Sequence, residues 1–179
     1  MINLLVADEV QHARQVRELF WEYLQWANAN VREHFGVSFD IAAMLEADML
    51  DLAKFMPPKG RVLLGYAEDQ LAGIACLRQL GPGIGEVKRM YVRPGHRRIG
   101  LGRALLERLL DEAEQAAYAL VRLDSAGFMT DAHRLYRGMG FREIEAYDGS
   151  EIPKEFQEHW VFMELALPGN TISSRNDAT

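Results

Sequence analysis

The sequence predicts an α+β chain with one mostly antiparallel sheet and helices on both of its faces. Three observations carry this reading. Two segments with helical periodicity precede three consecutive strand-like runs joined by Gly- and Pro-containing turns. A long amphipathic helix then follows a glycine pair. Beyond it, short apolar runs alternate with one further helical segment up to residue 166. The resulting order, β-α-α-β-β-β-α-β-α-β-β, fits a single sheet covered by helices.

Residues 2–7 read as the first strand. Over residues 8–32, Val16, Leu19, Phe20, Tyr23, Leu24 and Ala27 recur at spacings of three and four, which gives a helix one apolar face. Residues 40–54 read as a second helix, with Ile41, Met44, Leu45 and Met49 on one side, broken by Pro57-Pro58-Lys59-Gly60. Strands are predicted at 61–67, 71–80 and 86–93. The polar residues Glu68-Asp69-Gln70 and the turn Gly81-Pro82-Gly83-Ile84-Gly85 separate them. Residues 100–117 form the strongest helix. Leu106, Leu109, Leu110, Ala113 and Ala117 lie on one face, and Arg103, Glu107, Asp111 and Glu114 on the other. A strand at 119–123 and a helix at 130–138 capped by Thr130 follow, then strands at 141–147 and 159–166. The domain is expected to span residues 1–166, with 167–179 a small, polar and disordered tail.

The 179 residues suffice for one domain with a substantial core. No apolar run approaches the roughly 20 residues that cross a bilayer, so no membrane association is expected. The first nine residues lack a basic segment and reach acid at Asp8, unlike a signal peptide. Cys76 is the single cysteine, which excludes an internal disulfide and suits a reducing compartment. A cytoplasmic location is expected. The net charge of −6 argues against a nucleic-acid partner. Even so, six of the twenty basic residues, Lys88, Arg89, Arg93, Arg97, Arg98 and Arg103, fall between positions 88 and 103. On charge alone they describe either a solvated face or a site for a small anion.

The glycines in that stretch favour the anion. A strand ends at Pro94, a basic loop follows, and the long helix opens at Gly100-Leu101-Gly102. The first turn of a helix presents unpaired N–H groups and the positive end of its dipole. Glycine at 100 and 102 lets a phosphate approach them, and Arg97, Arg98 and Arg103 add charge. No Gly-Lys-Ser/Thr follows, and no third glycine completes a dinucleotide fingerprint. The five histidines show no metal-ligand spacing, and no metal is expected.

Arg97-Arg98-Ile99-Gly100-Leu101-Gly102 resembles the R/Q-x-x-G-x-G/A signature of the GNAT superfamily of acyl-CoA-dependent N-acyltransferases. The preceding residues, 86–94, look like that family's fourth strand. Ala132-His133-Arg134-Leu135-Tyr136-Arg137-Gly138-Met139-Gly140-Phe141 is similar to its A-x-x-L-Y-x-x-x-G-F segment. The element order agrees over about residues 2–166.

The resemblance implies acetyl-CoA as co-substrate. Its pyrophosphate would meet the backbone at Arg97, Arg98, Ile99, Gly100, Leu101 and Gly102, with the side chains of Arg97, Arg98 and Arg103. The backbone of Met90, Tyr91 and Val92 would run beside the pantetheine arm, next to a strand bulge known only from the resemblance. Tyr136 would protonate the leaving thiolate. Glu86 would deprotonate the amine, directly or through water, or is only a solvated strand-end carboxylate. Strand alternation groups Glu86, Lys88, Met90 and Val92 on one face. Met129 stands where many relatives place an asparagine. Cys76 reads as core. Arg78 either reaches the sheet edge or faces the cleft, where it could pair with a substrate carboxylate. The first helix, with Trp21, Tyr23 and Trp26, packs on the core or walls the acceptor pocket.

The expected activity is acetyl transfer to a primary amine of a small molecule. Acetylation of a protein lysine or N-terminus, and a non-catalytic acyl-CoA sensor, are the alternatives. A homodimer is expected from the family resemblance.

Overall fold

The computed structural model describes residues 1–170, so most of the expected polar tail lies outside the described residues. Seven strands form one sheet: β1 (Ile2–Val6), β2 (Arg61–Ala67), β3 (Gln70–Gly81), β4 (Ile84–Val92), β5 (Leu120–Ala126), β6 (Arg142–Ile144) and β7 (Trp160–Ala166). Their order across the sheet is β1-β2-β3-β4-β5-β7-β6. Every pairing is antiparallel except β4 with β5. The helices are α1 (Ala13–Phe35), α2 (Ile41–Leu50), α3 (Leu101–Gln115) and α4 (Thr130–Gly138). Among the described residues no helix is long and apolar enough to cross a membrane.

Alternation along the strands feeds two cores. Val62, Leu64, Ile74 and Cys76 pack under α1 and α2 with Leu19, Phe20 and Leu45. Leu63, Ala75 and Leu77 pack on the opposite face under α3 and α4, with Leu105, Leu109 and Tyr136. Helices thus cover both faces. Cys76 is fully buried, and burial pushes its thiol well above the ordinary range, as suits a core residue. The start of α3 is seated directly on the sheet at Gly65. A Cβ there would lie 2.8 Å from Leu101 Cδ1, so a side chain at this position would push the Leu101 side chain aside.

Several boundaries differ from the sequence expectation. Residues 8–12 form a turn in which Asp8 accepts from the Val10 and Gln11 N–H groups, so α1 begins only at Ala13. The helix predicted over 40–54 divides into α2 and a 3₁₀ turn, Leu52–Phe55. Met129, not Thr130, occupies the cap position of α4. The strand predicted over 141–147 stops at Ile144, and residues 145–153 form a loop.

The largest correction concerns β4. Lys88 pairs with Cys76 and Tyr91 with Ile74, so Arg89 and Met90 together oppose Ala75. Two residues against one make a β-bulge, and Arg89 adopts φ 51 to form it. The extra residue reverses the alternation. Met90 and Val92 pack on the α3 side together with Val87, while Lys88 and Tyr91 turn the other way. Glu86 and Lys88 therefore do not share a face with Met90 and Val92.

Candidate active site

Strands β4 and β5 pair from Ile84–Leu120 to Val87–Leu123 and then part. Beyond that point β4 continues to Val92 and β5 to Ala126, with no pairing between them. The bulge at Arg89 turns β4 away just past the last paired residue. Between the strands opens a cavity of about 310 Å³. Its walls include Tyr23, Ala27 and Val31 from α1, Met44 from α2, Met129 and Tyr136 from α4, and Glu151 from the loop after β6. Tyr23 and Trp26 sit edge-on or tilted to Tyr91, so α1 both packs on the sheet and walls the cavity. Trp21 lies instead in a separate groove between α1 and α2.

At one end of the splay lies the start of α3. Gly100, with φ 92, precedes the first helical residue, no side chain caps the helix, and its first turn holds no acidic residue. Backbone N–H groups there are open to an anion. A Cβ at Gly102 would meet nothing nearer than 3.7 Å, and its nearest neighbours include Met90 and Val92 side chains. Arg98, Ile99 and Arg103 are exposed around this turn. Arg97 donates to the Val92 carbonyl at 3.0 Å and lies over the Trp26 ring at 5.0 Å, which ties the basic loop to the end of β4. His96 Nδ1, in the same loop, is buried without a hydrogen-bond partner. These features fit a phosphate-bearing ligand. The other half of the basic run does different work. Arg93 binds Glu18, Glu22 and the Leu71 carbonyl, while Lys88 and Arg89 are buried at the cavity.

Tyr136 projects from α4 into the splay, buried, with its hydroxyl 3.7 Å from Met90 Sδ. Burial, followed by nearby Tyr23 and Asp124, raises its phenol above the ordinary value. It holds its proton at neutral pH. Glu86 is placed differently from a cleft base. It is fully buried and does not line the cavity. Arg78 Nε donates to its Oε2 at 2.5 Å and the Tyr147 hydroxyl to its Oε1 at 2.9 Å. Both oxygens are thus engaged, and Lys88 Nζ, at the cavity wall, lies 3.9 Å from Oε1.

The polar groups that do reach the cavity were less visible in the sequence. Asp124 accepts from Lys88 Nζ at 3.0 Å. Ser125 Oγ lies 3.0 Å from His133 Nε2. Burial, then Arg137, lowers the His133 pKa below its ordinary value, so the ring is neutral and Nε2 can accept from the serine. Glu151 meets Arg89, Arg78 and Lys88. Burial would raise its carboxyl, but Lys88, Arg89, Arg78 and Lys54 outweigh that and hold it at about 2. Met129 lines the cavity and receives a 3.5 Å contact from Ser125 Oγ at its sulfur.

Residues 13–141 match the model of the acetyltransferase (GNAT) family. An N-acetyltransferase of Schizosaccharomyces pombe is 31% identical over 83% of this chain and 85% of its own length. One of Bacillus subtilis is 30% identical over 66% of this chain and 77% of its own. Among solved structures, PaiA N-acetyltransferase of Thermoplasma acidophilum, in complex with coenzyme A, superposes with a TM-score of 0.70 at 15% identity, covering 93% of this chain and 99% of that one. A GNAT-family acetyltransferase of Staphylococcus aureus gives 0.69 at 20% identity over the same shares. With the splayed strands, the uncapped glycine start of α3 and the match over most of its length, this chain belongs to the acetyltransferase (GNAT) family.

Proposed function

We propose that this acetyltransferase moves the acetyl group of acetyl-CoA to the primary amine of a small molecule that binds in the cavity beside Tyr136. The observation that carries this reading is that the open first turn of α3 stands beside Met90 and Val92, on the stretch of β4 that has parted from β5 and whose Met90 borders the cavity. When bound, acetyl-CoA supplies the thioester carbonyl that the amine attacks and the thiolate that leaves. The α3 N–H groups, with Arg97, Arg98 and Arg103, hold its phosphates. The edge of β4 from Met90 to Val92, which lacks a β5 partner, offers backbone groups to the pantetheine arm and a donor to the carbonyl oxygen. Tyr136 keeps its proton at Oη and gives it to the thiolate. Ser125 takes the proton of the attacking amine and passes its own to His133 Nε2. Glu86 fixes Arg78 and Tyr147 behind the cleft.

The cavity is partly enclosed by α1, α2 and the 145–153 loop, which favours a small acceptor over a protein lysine or N-terminus. The reading is tested by following acetyl-CoA-dependent thiol release with amines, amino acids, polyamines and a lysine peptide. Turnover with a small amine supports it. Turnover with the peptide alone transfers the assignment to protein acetylation. Binding of acetyl-CoA without any turnover indicates a sensor.

A further inference from the structure

Four cations and four carboxylates meet beside the cavity. Lys54 and Arg89 bind Asp48 at 3.1 and 2.7 Å. Arg78 binds Glu86 at 2.5 Å and Lys88 binds Asp124 at 3.0 Å. The fourth carboxylate, Glu151, stands apart. It touches three cations, Arg89 at 3.2 Å, Arg78 at 3.3 Å and Lys88 at 3.4 Å, and none more closely. Its side chain is 31% exposed, whereas those of Lys88 and Arg89 are 5% and 7%. It also comes from a loop, while Asp48 lies on α2 and the other two carboxylates lie on central strands. Glu151 falls outside residues 13–141, the stretch matching the family model, but all four cations fall within it.

Charge decides what the arrangement can do. With Glu151 in place the cluster is neutral. With Glu151 turned outward, four cations face three carboxylates, Asp48 is left to both Lys54 and Arg89, and the surplus positive charge borders the cavity at Arg89, beside Lys88. A buried charge without a partner is costly, and an arginine and a lysine converging on one point suit a carboxylate. A monoanion restores neutrality, and a dianion would overshoot it. The rest of the wall is largely apolar, with Ala27, Val31, Phe39, Ile41 and Met44.

We propose that Lys88 and Arg89, backed by Arg78, form an anion subsite of the acceptor pocket, and that the acceptor is an amine carrying a carboxylate, such as an apolar amino acid. Glu151 occupies the subsite in the absence of acceptor and swings out when the acceptor's carboxylate takes its place. The inference that the ligand is an acetyl acceptor rests on the function proposed above, while the subsite itself does not.

Two measurements on the full chain separate these layers. Binding of propionate and of uncharged propionamide is titrated by NMR against the wild type, Glu151→Ala and Glu151→Gln. Propionate is expected to bind, at least tenfold more tightly to both variants, with propionamide bound by none. Propionate binding that ignores residue 151, or is matched by propionamide, overturns the subsite. In the second measurement, leucine and 3-methylbutylamine are compared as acceptors with saturating acetyl-CoA, and at least a tenfold higher kcat/KM is expected for leucine. Equal or better use of 3-methylbutylamine overturns the carboxylate preference. If propionate behaves as expected but no amine is acetylated, the subsite stands and the acyl-transfer reading falls.

Discussion

The hydroxyl of Tyr136 points at the sulfur of Met90, 3.7 Å away, across the gap where β4 and β5 part. A sulfur is a weak acceptor, so this buried phenol is poorly satisfied by the protein itself. Its pKa is raised above the ordinary value, so it keeps the proton that the proposed reaction gives to the leaving thiolate. Tyr136→Phe is expected to lower kcat roughly a hundredfold or more while acetyl-CoA affinity is retained. Steady-state kinetics beside a direct binding titration check this. An unchanged kcat would remove Tyr136 from the reaction.

Glu86→Gln separates structural support from base catalysis. Its carboxylate is buried against Arg78 and Tyr147, and losing one member of a buried pair costs about 3 kcal/mol or more. Urea unfolding should show that loss, with kcat of the folded fraction reduced less than in Tyr136→Phe. Normal stability combined with a collapsed kcat would instead make Glu86 the base.

At the start of α3, Gly102→Glu should set binding against stability. The space around the position accepts a side chain, and a carboxylate near a helix N-terminus stabilises by about 0.3–1 kcal/mol. It would also repel phosphate from the same N–H groups. KM for acetyl-CoA should rise at least tenfold with Tm unchanged or slightly higher. A normal KM would move the phosphate site elsewhere.

The pH profile follows from His133. In the proposed reaction its neutral form takes up the proton from Ser125, and burial keeps its pKa below 6.5 in the folded protein. Activity should therefore be full at neutral pH and be lost as pH falls through that lowered value. Because the unfolded chain takes up the proton more readily, stability also declines as pH drops below 6.5. Ser125→Ala should reduce kcat and abolish this acidic limb. A limb that survives in Ser125→Ala assigns the base elsewhere.

The parts of the site legible in the sequence were the local ones. Gly100, Gly102 and the surrounding arginines announce an anion-binding helix start because the device is contained in a few consecutive residues. Tyr136 was singled out by its motif, and the fold places it in the cavity wall. The bulge at Arg89 was not, because it is a mismatch of register between β3 and β4, and it moved Glu86 and Lys88 to the face opposite Met90. The ion network was hidden for a similar reason. Asp48 and Glu151 reach Arg89 across 41 and 62 positions, from a helix and from a loop predicted in part as strand. The basic run read as one patch is divided by the fold between an exposed cradle and a buried, paired interior.

The central claim is tested most directly by acetyl-CoA-dependent thiol release in the presence of small primary amines. The account predicts amine-dependent release with formation of the N-acetyl product, lost in Tyr136→Phe. Tight acetyl-CoA binding without release for any amine would contradict it.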